Sequence, residues 1–169
     1  MSETVDTNVL VYASNVDAPE HGRATALLGH LAAGPDLVVV LWPTVMSYLR
    51  LGTHPSIFSS PLSPGVASAN IDSLLDRPNI RVVGEGDGFW DSYRRTTAQV
   101  APRGNLVPDA QLVALMHQHG ISVIWSRDRD LRKFDGITVR DPFADRYRET
   151  FTPASGRHRP VHRGGRPPG

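Results

Sequence analysis

Two patterns of apolar and polar positions alternate along the chain. From Pro19 to Ala33 the apolar residues recur near helical spacing, and Gly34-Pro35 ends the pattern. The segment Leu37–Leu41 is instead a continuous apolar run rich in valine, which is typical of a strand buried on both faces of a sheet. A helix followed closely by such a strand indicates a layered α/β fold.

The remaining elements follow from the same patterns and from residues that cap helices. Ser63 followed by Pro64 predicts an N-cap and a first helical residue, and Gly120 predicts a helix end. The predicted strands are Val5 (the entry of a short strand), Leu37–Leu41, Ile80–Val83, Ile121–Trp125 and Ile137–Val139. The predicted helices are Asn8–Ser14, Pro19–Ala33, Pro43–Leu51, Pro64–Leu75, Phe89–Val100 and Pro108–His119. Strands separated by helices of this length predict a parallel sheet covered on both faces.

The length of 169 residues suits one domain followed by a tail. The net charge of +1 conceals an asymmetry, because four arginines follow Phe151 with no acid among them. Residues 1–150 contain the other 14 of the 18 basic residues and all 17 acidic residues, so their formal net charge is −3. We assign residues 1–145 to the domain and residues 146–169 to a basic tail rich in Pro, Gly and Arg. Composition predicts disorder from Phe151 onwards. The tail is either a solvated end or an arm that contacts a polyanion such as RNA.

The composition also bears on the compartment. The absence of cysteine excludes disulfides and thiolate metal sites, and it fits a reducing compartment such as the cytoplasm. The N-terminus carries Glu3 and Asp6 where a signal peptide would need a basic stretch and then an apolar one. The longest apolar run, Leu37–Trp42, is far shorter than the ~20 residues of a membrane helix. We therefore expect a cytoplasmic protein that does not enter a membrane.

Three aspartates occupy positions where such a sheet is expected to carry a site. Asp6 directly follows the first strand, Asp128 follows the strand that ends at Trp125, and Asp109 opens a helix. Ligands bind beyond the carboxyl ends of parallel strands. Asp6 and Asp128 should therefore share one rim of the sheet, and Asp109 should be able to reach it.

A cluster of carboxylates indicates a cation, because the acids otherwise repel one another, and Mg²⁺ or Mn²⁺ prefers oxygen ligands of this kind. Each acid also has a structural alternative: Asp6 as a helix cap, Asp109 as a complement to a helix dipole, and Ser126–Leu131 as a solvated charged run. The coincidence of all three at one rim favours the metal. Thr7 and Asn8 are candidates to hold a metal-bound water or a substrate phosphate.

Four motifs occur in order along the chain. They are "VDTNVLVYA" (Val5–Ala13), "LRLGTHPSIFSSPLSP" (Leu49–Pro64), "RGNLVPDAQLVAL" (Arg103–Leu115) and "SRDRDLRKF" (Ser126–Phe134). Together they resemble the PIN-domain ribonucleases, specifically the VapC-type toxins of toxin–antitoxin pairs, over residues 4–143. The resemblance implies a three-layer α/β/α sandwich with a five-stranded parallel sheet, and an RNA endonuclease that depends on Mg²⁺ or Mn²⁺. It also implies a VapB-like antitoxin as partner and a homodimer.

The same resemblance implies roles for individual residues. The family's acids correspond to Asp6, Asp109 and Asp128, which would be both catalytic and metal-binding. Asp130 would be a nearby carboxylate outside the metal's own ligands, as its distance from the strand end also suggests. Ser126 would be the small hydroxyl residue that precedes the last acid. The resulting hypothesis is that a largely hydrated ion activates a water for in-line attack on an RNA phosphodiester.

One position departs from the family pattern. Where the family has a glutamate in the helix after the second strand, this chain has Ser47 within "MSYLR", and no acid occurs between Leu37 and Asp72. The Ser47 hydroxyl can hold a water but contributes no charge. We therefore expect weaker metal binding than at a four-acid site, and one ion rather than two.

The motif-bearing segments also contain basic residues that are candidates to grip the RNA backbone, although each is alternatively a plain surface charge. They are Arg50, His54, Arg103, Arg127, Arg129 and Lys133. The tryptophans Trp42, Trp90 and Trp125 are expected in the core rather than as platforms for stacked bases.

Two other functions stay open at this point. A catalytically weakened or inactive PIN-like protein would bind RNA or an antitoxin partner without cutting. A metal phosphohydrolase that acts on small phosphate esters is compatible with a parallel sheet, but the chain lacks a glycine-rich phosphate loop and a "DxDx[TV]" motif.

Overall fold

The computed structural model describes residues 2–148 and 150–151, in which strands and helices alternate along the chain. The strands are β1 (Glu3–Val5), β2 (Val38–Leu41), β3 (Ile80–Val83), β4 (Val123–Trp125) and β5 (Thr138–Arg140). The helices are α1 (Thr7–Ser14), α2 (His21–Ala33), α3 (Trp42–Gly52), α4 (Pro64–Leu75), α5 (Phe89–Thr97) and α6 (Leu106–Gln118). Short 3₁₀ turns cover Asp130–Lys133 and Asp145–Tyr147.

The predicted elements are all present, and three of the bounds that differ have local causes. Helix α5 ends at Thr97 instead of Val100, and Ala101 then takes a positive φ of 48° that no helix continues through. Helix α6 begins two residues before Pro108, whose missing N–H costs nothing in a first helical turn. Strand β4 begins late because the Ile121 N–H donates to the Met116 carbonyl (2.8 Å) at the end of α6.

All five strands are parallel and lie in the order β3-β2-β1-β4-β5. Strand β2 is buried along its whole length, as its apolar run predicts. Val38 and Val40 pack into a cluster with α1, α2, α3 and α4, whereas Val39 and Leu41 pack into a second cluster with α6. The sheet therefore has helices on both faces, and the prediction of a three-layer α/β/α sandwich with a five-stranded parallel sheet is confirmed.

The folded part extends further towards the C-terminus than composition suggests. The Phe151 side chain is only 1% exposed, and its ring centroid lies 5.4 Å from that of Trp125 and 5.7 Å from that of Tyr147. Arg23 fixes the preceding segment by donating to the Phe143 carbonyl at 2.6 Å. The assignment of Phe151 itself to a disordered tail is therefore wrong. Residues 152–169 lie outside the described residues, so the tail beyond them stays a prediction.

The tryptophans divide between core and surface. Trp125 is buried, as predicted, but Trp42 and Trp90 are 42% and 65% exposed, so their assignment to the core is wrong. Trp42 opens α3 and packs over Gly84, while Trp90 stacks on Tyr93 at 5.5 Å on the outer side of α5. Among the residues that the structure describes, no helix is long and apolar enough to cross a membrane.

Removing the Phe151 ring tests the C-terminal limit of the fold. We expect Phe151→Ala to lower the free energy of unfolding by about 3 kcal/mol, since it leaves a cavity against Trp125. A chain that ends at residue 151 should keep the stability of the full chain, whereas one that ends at residue 145 should lose at least as much as Phe151→Ala. Urea denaturation of the three proteins measures this. Equal stability of the 145- and 151-residue chains would contradict the packing described here.

Candidate active site

A cleft opens at the carboxyl ends of the strands, where β1 lies between β2 and β4. From β1 the chain adds β2 and β3 on one side and then crosses over to add β4 and β5 on the other, and parallel sheets bind ligands at such a position. The cleft has a volume of about 360 Å³ and is lined by residues of α3 and α6. Asp6, Asp109 and Asp128 all line it. Their predicted meeting at one rim is confirmed, while their chemical roles stay predictions.

Asp6 is held at the junction of β1 and α1 by contacts on every side. Its N–H donates to the Trp125 carbonyl (3.0 Å), and its Oδ1 accepts from the Thr7 N–H (2.6 Å) as the N-cap of α1. Its Oδ2 accepts from the Asn8 amide and from the Ser126 hydroxyl, the latter at 2.6 Å. Asp6 therefore does cap α1, as the structural alternative proposed. The same hydrogen bonds fix the orientation of its carboxylate at the cleft.

The Ser126 hydroxyl joins the two segments that carry Asp6 and Asp128. The residue is 1% exposed. Its Oγ donates to Asp6 and accepts from the Asn8 amide (3.0 Å) and from the Asp128 N–H (2.9 Å). A hydroxyl has one donor and two acceptor positions, so every one of them is used. Ser126 thus positions both acids, and the Asn8 amide contributes to the same network instead of acting alone on a ligand.

Burial and neighbouring carboxylates raise the pKa of Asp6 and of Asp109. Burial raises the pKa of Asp6 above its usual range, and the charge of Asp128 adds to this against two hydrogen bonds that lower it. Burial likewise raises the pKa of Asp109 to about 6, with further contributions from the charges of Asp128 and Asp6. A carboxylate whose pKa is raised in this way is stabilised when it binds a proton or a cation.

The donor set fits a hard divalent cation, because the three aspartates offer only oxygen ligands and none of them forms an ion pair among the residues that the structure describes. In the part of the chain that the structure describes, however, no group of three or more His, Cys, Asp or Glu side chains is arranged to hold an ion. Like-charged carboxylates repel. Because hydrogen bonds fix the Asp6 carboxylate, the Asp109 and Asp128 side chains must approach it for one ion to bind all three.

One face of α3 forms another wall of the cleft. Ser47, which stands where the resemblance implies a glutamate, lies on this face with Arg50 and Thr44. Sequence analysis missed Thr44, which is 1% exposed and whose hydroxyl has no hydrogen-bond partner among the described residues. Its spacing of three residues from Ser47 is the signal that could have found it, because such residues share a helix face.

Two of the predicted RNA-gripping residues are engaged elsewhere. The Arg127 guanidinium forms an ion pair with Glu20, and it lies 4.6 Å from the ring centroid of Phe143. The Lys133 ammonium pairs with Asp130 at 2.8 Å. The structural alternative is therefore favoured for Arg127 and Lys133. Asp130 is not among the residues that line the cleft, and its role beside the metal stays a prediction.

The other basic candidates differ in their relation to the cleft. Arg50 lines it. His54 Nδ1 accepts a hydrogen bond from the Ser56 N–H at 3.1 Å, which stabilises the turn after α3. Arg103 and Arg129 are exposed and lie outside the set of residues that line the cleft. Arg50 is thus the predicted grip residue that the fold brings nearest to the acids.

Comparison with known proteins assigns this arrangement to a family. A family profile described as the PIN domain matches residues 4–137. The chain therefore belongs to the PIN-domain family, and the relatives that it matches there are VapC ribonucleases. It is 55% identical over 144 residues to Ribonuclease VapC48 of Mycobacterium tuberculosis, which covers 85% of this chain and 99% of that protein. It is 31% identical over 138 residues to Ribonuclease VapC37 of the same organism, covering 82% and 95%.

Solved structures share the fold at much lower sequence identity. VapC20 of Mycobacterium tuberculosis, described as a sarcin-ricin loop cleaving toxin, superposes with a TM-score of 0.58 at 21% identity, over 78% of this chain and 93% of that one. VapBC2 of Rickettsia felis, bound to a DNA fragment from its promoter, gives a TM-score of 0.60 at 14% identity, over 83% and 98%. These structures support the fold, while the family profile and the sequence relatives confirm the family resemblance inferred from the motifs.

The raised pKa of Asp109 predicts that this residue destabilises the metal-free protein. The folded state binds the Asp109 proton more tightly than the unfolded state, so the free energy of unfolding falls as pH rises from about 4 to about 6. Asp109→Asn should therefore stabilise the protein above pH 6, by about 1 kcal/mol after allowance for solvent screening, and should have little effect at pH 4.

Urea denaturation in chelator at pH 4 and pH 7.5 measures this difference. The matched control is Asp72→Asn on the exposed side of α4, which should change stability by no more than about 0.5 kcal/mol. A variant of Asp109 that is less stable than wild type at pH 7.5 would show that the neighbouring acids do not destabilise this carboxylate.

Proposed function

We propose that this protein is the toxin component of a type II toxin–antitoxin system and acts as an endoribonuclease that hydrolyses phosphodiester bonds with Mg²⁺ or Mn²⁺. The observation that carries the proposal is the meeting of Asp6, Asp109 and Asp128, from three separate segments, in one cleft with raised pKa values for two of them. The ribonuclease names of relatives that match 99% and 95% of their own length support the reaction class.

Asp6, Asp109 and Asp128 would hold the divalent ion. The ion, when bound, would supply a Lewis acid that lowers the pKa of a water and offsets negative charge on the phosphate. The protein's own part is to fix the ligands. The three donors on the Asp6 carboxylate hold it in one orientation, and the Ser126 hydroxyl keeps the segment of Asp128 beside it. Such preorganisation lowers the cost of assembling the site.

Ser47 favours a second candidate function. The α3 wall of the cleft presents a hydroxyl at this position instead of a carboxylate, so one unit of negative charge is missing beside the three aspartates. Weaker cation binding follows from fewer charged ligands. A protein that keeps the fold and binds RNA or an antitoxin, but cuts slowly or not at all, is therefore the alternative that this residue supports.

The proposed partners follow from the charge of the cleft. RNA brings phosphates, whose negative charge a cation held by the acids would offset, and a VapB-like antitoxin would instead present a basic side chain to Asp6. Structural neighbours include toxin–antitoxin complexes, which supports a partner of this kind. We also propose a homodimer and a cytoplasmic location, which rest on the family and on the cysteine-free composition.

Cleavage of total cellular RNA by the purified protein tests the activity. We expect cutting with Mg²⁺ or Mn²⁺ and none in chelator. Asp6→Asn should reduce the rate by more than about 100-fold, because losing a ligand should cost more than losing a residue that only supports one. Asp91→Asn, an exposed acid on α5, is the matched control and should cut like wild type.

Ser47→Glu decides between the two candidate functions in the same assay. A faster rate, or a lower Mn²⁺ requirement, would measure what the absent carboxylate contributes to an active enzyme. No cutting by wild type under any metal, together with cutting by Ser47→Glu, would mean that the protein binds RNA or a partner without cleaving.

The antitoxin proposal is tested by co-expression of this chain with a VapB-like antitoxin. A stable complex that suppresses RNA cutting is expected, and Asp6→Lys should weaken that complex by about tenfold or more, since two basic groups would then face each other. Failure to isolate any complex with the wild-type chain would count against a VapB-like partner.

A further inference from the structure

The acid cluster lies between two arms of one cleft, and the arms differ in chemistry. The α3 arm is the cavity of about 360 Å³ described above, whose α3 side carries Ser47 and Arg50. The α1 arm is a second groove of about 400 Å³, which shares Asp6, Thr7, Leu51 and Asp128 with the first. Its remaining lining is Asn8, Val11, Tyr12, Asn15 and Ile57. A ligand bound at the acids can therefore extend into both arms.

The α1 arm combines apolar walls with an amide. Ile57 is 48% exposed in the turn after α3 and lines the groove together with Leu51 and Val11. The Asn15 Oδ1 accepts from the Asp17 N–H at 3.2 Å, which holds that amide in place at the groove. Apolar faces with a few fixed polar groups match an unpaired nucleobase, whose faces are apolar and whose edges carry donors and acceptors.

The wall that carries Ile57 is preformed. The adjacent Phe58 is 3% exposed and anchors the turn in the protein. Ser59 Oγ donates to Asp17 Oδ2 at 3.0 Å, which ties the same turn to the segment after α1. The Leu62 N–H closes the turn by donating to the Gly52 carbonyl at 2.9 Å. A groove built in advance binds a flat ligand without the entropic cost of ordering its wall.

The α3 arm has the complementary chemistry of a phosphate site. The exposed Arg50 lies there with the Ser47 hydroxyl, on the wall where a carboxylate is absent. No ion pair engages Arg50 among the residues that the structure describes. Its guanidinium can therefore take a backbone phosphate next to the one at the acids, because Arg matches phosphate geometry with paired donors.

We propose that the two arms read different parts of the substrate: one nucleobase beside the cleaved bond lies in the α1 arm against Ile57, and an adjoining RNA phosphate pairs with Arg50 in the α3 arm. This assignment rests on the proposed function, since it takes single-stranded RNA as the ligand. In this arrangement Ile57 determines which base is preferred beside the cleaved bond. Arg50 increases the affinity for RNA of any sequence.

Sequencing of the cut ends from a pool of RNAs with randomised sequence tests the base-reading arm. Ile57→Ala should flatten the base preference at one position beside the cleaved bond, whereas Arg50→Ala should keep the wild-type preference and cut more slowly at all sites. The matched control for Ile57 is Val66→Ala on α4, which is 49% exposed and should leave both rate and preference unchanged. An unchanged preference in Ile57→Ala would overturn the proposal.

Binding measured in chelator, where no cutting occurs, separates this proposal from the nuclease activity. Arg50→Ala should reduce the slope of log affinity against log salt by about 0.7, the value for one phosphate of a single strand. Arg94→Ala on α5 is its control and should keep the slope. With RNAs that lack one base at a time, wild type should lose at least about fivefold in affinity at one position, and Ile57→Ala should not.

These outcomes remain decisive if the wild-type protein cuts nothing. The salt slope and the abasic series then support or overturn the assignment of the two arms, while the nuclease proposal alone fails. An Ile57→Ala variant that binds the antitoxin more weakly but responds to every abasic RNA like wild type would assign the α1 arm to a protein partner and overturn its assignment to a nucleobase.

Discussion

The parallel pairing of β1 with β4 is the constraint on which the rest of the site depends. Val5 lies opposite Trp125 in this pair, and so the next residues of the two strands, Asp6 and Ser126, come side by side. Glu3 fixes the register from inside the sheet: the residue is 9% exposed, and its carboxylate accepts from the Trp125 indole at 2.7 Å and from Arg140 at 3.2 Å. A slip by one residue would reverse which face each side chain occupies and would leave this buried carboxylate unpaired.

The cleft stores unfavourable electrostatic energy that the fold has to support. Burial and mutual repulsion raise the pKa of Asp6 and of Asp109, so the ionised site destabilises the folded state until something positive binds. Hydrogen bonds to Asp6 offset part of this cost. A serine at position 47, in place of the family's glutamate, removes one negative charge. Its absence reduces the repulsion among the acids and also reduces their attraction for a cation. Stability and activity are therefore opposed at this residue.

The C-terminal segment and the site are connected through one arginine. Arg127 lies between Ser126 and Asp128 in the chain, yet its guanidinium pairs with Glu20 and rests on the Phe143 ring. Arg23 in turn holds the Phe143 carbonyl. The segment after β5 therefore does more than close the core: it packs against the side chain that anchors the loop carrying Asp128. Truncation within this segment should accordingly affect the site as well as the core.

The sequence by itself determined the strands, the helices, the position of Asp6 and Asp128 after strands and that of Asp109 at a helix start, because periodicity and cap residues act between near neighbours. The resemblance to the family identified Ser47 as the residue that stands where the family has a glutamate, and the structure places it on a wall of the cleft. Only the tertiary structure decided which partner each charge meets. Arg127 looks like an RNA contact until Glu20, more than a hundred residues away, takes its guanidinium. Phe151 looks like tail until Trp125 covers it. Trp42 and Trp90 look like core but lie on the surface. Such pairings depend on the distances between elements after folding, and local sequence patterns do not contain them.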